Sequence, residues 1–282
     1  MPSRRSQAIV LMSVGVVLLV LNDAAAKWLV ARYGPLQILF VRSALALPMA
    51  AGLVVWLDGP QALRSHRVGV HAARAALAVA ATLAFIGSLR TLGLAEATAL
   101  IFTAPIIVAA LSAAALGERV GARRWGAVLL GFAGALVVVR PGADAFQPAS
   151  LLALAAAALN ALVMVSARWV DARDGIGTMA FHMTLFSGLF GTVALFGAWP
   201  AFERGDAAMF GLMALFGTGG VALISQAFRM APASLVAPID YTALLWASLV
   251  GWAVWGTVPD LWVYVGAGII IAGAAMVLTA GE

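Results

Sequence analysis

The chain has 282 residues, 63% hydrophobic and only 10% charged, with a formal net charge of +5. So few charges cannot furnish the polar shell of a soluble domain of this length, so the chain is an integral membrane protein. Its basic residues are scattered through short loops instead of gathered on one face, which excludes a nucleic-acid surface; the absence of cysteine excludes thiolate metal sites, thiol nucleophiles and disulfides.

Apolar runs of about 20 residues recur without the alternation of a barrel strand, and they predict spanning helices that satisfy their own backbone hydrogen bonds. The first five are expected near residues 7–31, 36–56, 68–89, 94–116 and 122–139. The second five are expected near 149–170, 177–199, 207–228, 232–255 and 260–280. Between them stand Gly, Pro and charge, as in "RYGP", "LDGPQALRSHR", "DARDGIG" and "WPAFERGD". The fold class is therefore all-α integral membrane with ten transmembrane helices. The basic start "MPSRR" and the small residues Ala24 to Ala26 imitate a signal peptide, but the run is long for one and the repeat described below needs this helix.

With the N-terminus in the cytoplasm, Arg4, Arg5, Arg64, Arg67, Arg119, Arg123, Arg124, Arg168, Arg173 and Arg229 fall inside, against Arg32, Arg90, Arg140 and Arg204 outside. The positive-inside rule favours that orientation, with both termini cytoplasmic and the chain multi-pass in a bacterial inner membrane. Most tryptophans fall near predicted helix ends, as an interfacial belt requires; Trp246 does not.

Sliding the sequence over itself by 139 residues lays "LRTLGLAEATALIFTAPII" from Leu89 on "FRMAPASLVAPIDYTALLW" from Phe228. Phe102 meets Tyr241, Thr103 meets Thr242 and Ala104 meets Ala243, while "LN" at Asn22 matches "LN" at Asn160. The halves 1–141 and 142–282 each hold five helices, an odd number, so equivalent elements are inverted in the membrane. Inverted repeats are the architecture of alternating-access transporters, with a substrate site near the midplane at the repeat interface.

Asn22 in the first helix, Pro35 with Arg42 following it, the "APII" segment and "LGERV" at 116–120 together resemble the drug/metabolite transporter superfamily, and within it the EamA-type exporters. The second half departs from the pattern, with "WGTVPD" carrying Thr257 where the acidic residue is expected to recur. The whole looks most like YddG-type exporters of aromatic and other neutral amino acids. The resemblance implies a central cavity lined by helices 1–4 and 6–9, with helices 5 and 10 outside it. Small-residue stripes, Ala127, Gly131 and Ala135 in helix 5 and Gly268 and Ala272 in helix 10, agree with a scaffold role.

Charges inside spans are few and costly, so each needs an explanation. Asp23 and Arg42 are expected at one depth, as are Arg74 and Asp240 on the opposite side of the midplane. Each couple is expected either to pair, locking helices or serving as a gate, or to contact substrate. His182 falls within a residue of the position equivalent to Arg42 and is a candidate for substrate or proton binding; His66 and His71 are expected at headgroup level. Substrate-lining candidates are Asn22, Phe85, Phe102, Thr103, Asn160, His182, Tyr241 and Trp246. Pro105 and Pro238 are expected to bend helices 4 and 9, and Pro48 to kink helix 2.

An aromatic and hydroxyl lining with few full charges suits a zwitterion with an apolar side chain better than a phosphate. The expectation is a secondary transporter exporting a small neutral or aromatic amino acid, a monomer or weak homo-oligomer, with lipophilic cations as the alternative cargo. The chain has no GxxxxGK[ST], HExxH or GxSxG and no metal-ligand spacing, so no enzyme activity, cofactor or metal is expected, and a sensor is the remaining rival.

Overall fold

The computed structural model describes residues 4–104, 106–108, 110–111, 122–140, 146–171, 173–231, 236 and 239–279. It contains α1 Arg4–Leu29, α2 Pro35–Asp58, α3 Val68–Ser88, α4 Leu94–Ile101 and α5 Ala122–Val139. The second half gives α6 Ala149–Val165, α7 Ile176–Gly191, α8 Arg204–Met230, α9 Ala243–Trp255 and α10 Leu261–Thr279. No strand occurs among the described residues. The segments Arg4–Leu29, Pro35–Trp56, Val68–Ser88, Gly177–Phe196 and Arg204–Phe228 are long and apolar enough to cross a membrane; the others are shorter apolar helices.

Local chemistry sets the helix ends. Pro35 starts α2 where its missing N–H costs nothing, and the Gln37 side chain accepts from Gly34 N–H at 2.9 Å. Glu96 does the same for Gly93 at the start of α4, at 3.0 Å, so its carboxylate is engaged as a helix cap. Gly256 closes α9 in the left-handed region, at φ 65°. Pro48 does not interrupt α2. Helices 4 and 9, expected to bend at Pro105 and Pro238, are each broken by a turn, at 102–103 and 241–242; Pro105, Pro238 and the 116–120 segment lie outside the described residues.

Packing follows the repeat. α1 lies on α8 as α6 lies on α3, and α1 touches α9 as α6 touches α4. Three pairs of equivalent helices, α2 with α7, α4 with α9 and α5 with α10, contact each other directly. Equivalent elements touch only where they straddle the symmetry axis, so these three pairs mark a pseudo-twofold through the bundle. The Arg140 to Asp260 ion pair, 2.8 Å, ties the end of α5 to the start of α10.

Two crossings need glycine. A Cβ on Gly15 of α1 would lie 3.1 Å from Gly220 O of α8, and one on Gly220 would lie 3.0 Å from Gly15 O. On the axis, a Cβ on Gly134 of α5 would meet Gly266 O at 2.8 Å, and one on Gly266 would meet Gly134 O at 2.7 Å. Gly268, expected on the packing stripe, has nothing within 4 Å of its Cβ position. The helix is rotated so that Gly266, two residues earlier, makes the contact. Leu129, Phe132 and Leu136 of α5 are left exposed, as a lipid-facing surface allows.

Candidate functional site

The turns that break the fourth and ninth helices are the same turn built twice. Thr103 donates to Leu100 O from N–H at 3.1 Å and from Oγ1 at 2.7 Å; Thr242 donates to Ile239 O from N–H at 3.0 Å and from Oγ1 at 2.7 Å. Ile106 and Ile107 N–H share Thr103 O at 3.1 and 3.0 Å, just as Leu245 and Trp246 N–H share Thr242 O at 3.0 and 3.2 Å. At the corner, the Phe102 and Tyr241 rings meet edge to face, centroids 5.2 Å apart. Repeat partners in mutual contact sit on the axis, which places Phe102, Thr103 and Tyr241 together at the centre of symmetry. Phe85 is half-buried against the main apolar core, whereas Trp246 is 38% exposed.

A second group lies on α1, α2 and α8. The buried Asn22 donates from Nδ2 to Asp23 Oδ1 at 2.9 Å, and its own Oδ1 has no hydrogen-bond partner. Arg42 interacts electrostatically with Asp23, but the two make no contact within ion-pair distance and Arg42 has no hydrogen-bond partner among the described residues. Arg42 turns instead toward Gly217: a Cβ there would lie 2.8 Å from Asn22 Oδ1 and 3.3 Å from Arg42 Nη2. A bare glycine thus faces an unsatisfied acceptor and an unsatisfied donor, an arrangement able to hold a polar ligand.

Arg74 and Asp240 are not brought together. The buried Arg74 donates from Nε to Ser166 Oγ at 3.2 Å and from Nη2 to Val163 O at 3.4 Å, tying α3 to the end of α6. Asp240, beside the ninth-helix turn, is exposed. Lys27 on α1 donates to Leu89 O at 3.0 Å and Leu92 O at 2.6 Å, satisfying carbonyls freed at the end of α3, and lies over Trp255. It borders a cavity of about 480 Å³ with Arg32, Arg90 and Trp255. Asn160, the repeat mate of Asn22, is half-buried on α6 without a side-chain partner among the described residues.

His182 is buried, its Nδ1 paired with Thr178 O at 2.9 Å, and its ring stacks on His71 with centroids 5.0 Å apart. His71 is fully buried in the protein, with Nε2 3.0 Å from Asp174 Oδ2. Asp174 also accepts from Ser65 Oγ at 2.7 Å and from the His66 backbone at 3.1 Å, and lies 2.8 Å from the His66 ring. Burial alone would raise this carboxyl, but the bonds from Ser65, His66 and His71 outweigh it and hold the group well below the usual carboxylate range. "DARDGIG" reads as a polar loop, and nothing in its spacing signals that its second aspartate turns inward.

The EamA-like transporter family model matches the chain twice, over residues 6–140 and 147–279. A riboflavin transporter of Vibrio cholerae serotype O1 is 30% identical over 88% of this chain and 86% of its own. An S-adenosylmethionine uptake transporter of Rickettsia bellii is 23% identical over 91% of this chain and 88% of its own. One solved crystal structure shares the fold, with TM-score 0.64 at 19% identity over 98% of this chain and 97% of that one.

Proposed function

The chain belongs to the EamA-like transporter family, and with a multi-pass bacterial membrane transporter as the premise we propose that its cargo is a neutral, flat heteroaromatic with a hydroxylated tail, of the riboflavin kind. Two observations support this: the aromatic corner of Phe102 on Tyr241, and the unsatisfied Asn22 Oδ1 and Arg42 beside Gly217. A flat ring gains from aromatic edges and faces. Tail hydroxyls donate to the Asn22 acceptor, and ring or tail oxygens accept from Arg42. Arg42 and Asp23 offset each other's charge, so a neutral cargo needs no further counter-ion, whereas a cation such as S-adenosylmethionine would compete with Arg42.

The amino-acid export expected from the sequence shares the transporter class with this reading and differs in cargo; the named relatives do not point to amino acids. Transport proceeds by alternating access about the axis, with the aligned turns in the fourth and ninth helices as bending points and the termini in the cytoplasm. Proteoliposomes loaded with buffer and given labelled riboflavin test it. Saturable uptake, blocked by excess unlabelled riboflavin but not by S-adenosylmethionine or phenylalanine, is the expected result. Counterflow of phenylalanine without any flavin signal would overturn it.

A further inference from the structure

The cavity that Lys27 borders lies on the side away from the termini, where α1, α3 and α9 all end. Lys27 stands two residues before the end of α1, Arg90 two residues past the end of α3, and Trp255 is the last residue of α9. Ala31 and Leu89 extend the apolar wall begun by Trp255, and Arg32 closes the rim. The volume is about 480 Å³. At about 30 Å³ per water molecule, that is far more than one inorganic ion fills.

The three cations are unequally engaged. Arg32 is held by Glu203 at 2.8 Å, by Asp206 at 3.1 Å and by Ala201 O at 3.1 Å. Lys27 commits two of its three N–H groups to Leu89 O and Leu92 O, with Nζ 5.6 Å from the Trp255 ring centroid, so one N–H remains. Glu96 acts on Lys27 electrostatically while it caps Gly93. Arg90 is exposed, and its guanidinium makes no hydrogen bond or ion pair among the described residues. Asp260, at the same end of the bundle, is already paired with Arg140 at 2.8 Å. A free guanidinium and a free ammonium N–H beside an indole form a donor set that matches a singly charged phosphodiester.

α9 carries the cavity onward as a surface. Leu245, Leu249 and Trp252, four and three residues apart, form an exposed stripe that runs along the helix to Trp255. Leu244, Ala247 and Gly251 are buried on its other side. An apolar stripe on a membrane helix, ending in a basic and tryptophan-walled recess at the level of the helix ends, has the layout of a glycerophospholipid: chains along the stripe and phosphate at headgroup depth.

We propose that this cavity is a binding site for an anionic glycerophospholipid, its phosphate held by Arg90 and Lys27, its glycerol against Trp255 and one acyl chain along Leu249 and Leu245. Bound there, the lipid ties the ends of α1 and α3, from the first repeat, to α9 of the second. A zwitterionic headgroup brings no net charge to Arg90 and gains less. The site is separate from the cargo site. Asn22 and Lys27 are five residues apart on α1, which turns them about 140° from each other. Asn22 faces α8 at Gly217, whereas Lys27 faces the α3–α4 loop. Failure of the lipid site therefore leaves the flavin reading standing, and the reverse holds.

The chain has no cysteine, so a single thiol placed on the cavity wall reports on its occupancy. In detergent, maleimide labelling of Ala31→Cys is expected to slow saturably as phosphatidylglycerol is added. Phosphatidylcholine should need at least ~fivefold more lipid for the same protection, and glycerol phosphate without acyl chains should give none. Arg90 is exposed and unpaired, so Arg90→Gln leaves the fold intact. Added to the Ala31→Cys chain, it should raise the phosphatidylglycerol needed for half-protection about fivefold, the contribution of one basic residue at an anionic headgroup. Arg64→Gln, on the termini side, should leave that value unchanged, and Ala207→Cys on α8 should show no protection. No slowing at Ala31→Cys, equal protection by phosphatidylcholine or by glycerol phosphate alone, equal slowing at Ala207→Cys, or a half-protection value unmoved by Arg90→Gln would each overturn the proposal.

Discussion

Phe102 and Tyr241 stand 139 residues apart in the chain and edge to face in space, with ring centroids 5.2 Å apart and planes at 85°. Because they are also repeat equivalents, their contact fixes the axis of the molecule to a single corner. An edge-to-face pair contributes about 1 kcal/mol beyond its buried area. Phe102→Ala and Tyr241→Ala are each expected to slow transport roughly tenfold, with a coupling of about 1 kcal/mol in the double-mutant cycle. Initial rates in proteoliposomes give the coupling directly. Strict additivity would mean that the pair parts before the rate-limiting step.

Gly217 leaves open the space that Asn22 and Arg42 face, and its missing Cβ would lie 2.8 Å from Asn22 Oδ1. The opposing atoms are side-chain ends that can swing aside, so Gly217→Ala should barely alter thermal stability. It should raise the transport KM by about tenfold, by removing binding shared by all states of the cycle. A normal KM would place the cargo elsewhere.

The α5 and α10 crossing predicts a contrast within one helix. A Cβ on Gly266 meets a backbone carbonyl at 2.7 Å, which cannot rotate away, whereas one on Gly268 meets nothing within 4 Å. Gly266→Ala should destabilise by about 1–3 kcal/mol and Gly268→Ala by less than about 0.5. Thermal unfolding in one detergent compares them; equal melting temperatures would contradict the crossing.

Asp171, in the α6–α7 loop, is held well below the usual carboxylate range by hydrogen bonds from the Arg173 side chain and backbone. A carboxyl depressed on folding contributes stability that is present above its unfolded value of about 3.9 and lost as pH falls through its folded one. The melting deficit of Asp171→Asn should therefore be small, because the ion pair is exposed, constant from about pH 7 to 5, and shrinking progressively as pH falls below about 4, vanishing only below the folded value. A deficit that grows on acidification would reverse the sign of the argument.

Much of this was legible in the residues. Ten apolar runs, the match of Phe102 and Thr103 with Tyr241 and Thr242, and the rarity of intramembrane charge all lead to an inverted-repeat transporter. The turns also fall at matched positions although Pro105 and Pro238 do not match, because the threonine that closes each turn onto the carbonyl three residues back is the repeated element.

Partner choice was not legible. Depth along a helix follows from counting residues at 1.5 Å each, and it set Arg74 level with Asp240 and Arg42 level with Asp23. Rotation about the helix axis does not follow from counting when a helix is apolar nearly all round. Arg74 was turned to Ser166, Lys27 to the Leu89 and Leu92 carbonyls, and His71 onto His182 by the way whole helices pack. Gly266 took the place of Gly268 for the same reason. Composition and periodicity thus determined the solvent, the number of spans and their inversion, because these depend on how many apolar residues run together. Which polar groups meet was decided by tertiary structure alone, because that depends on an angle between helices that no single helix encodes.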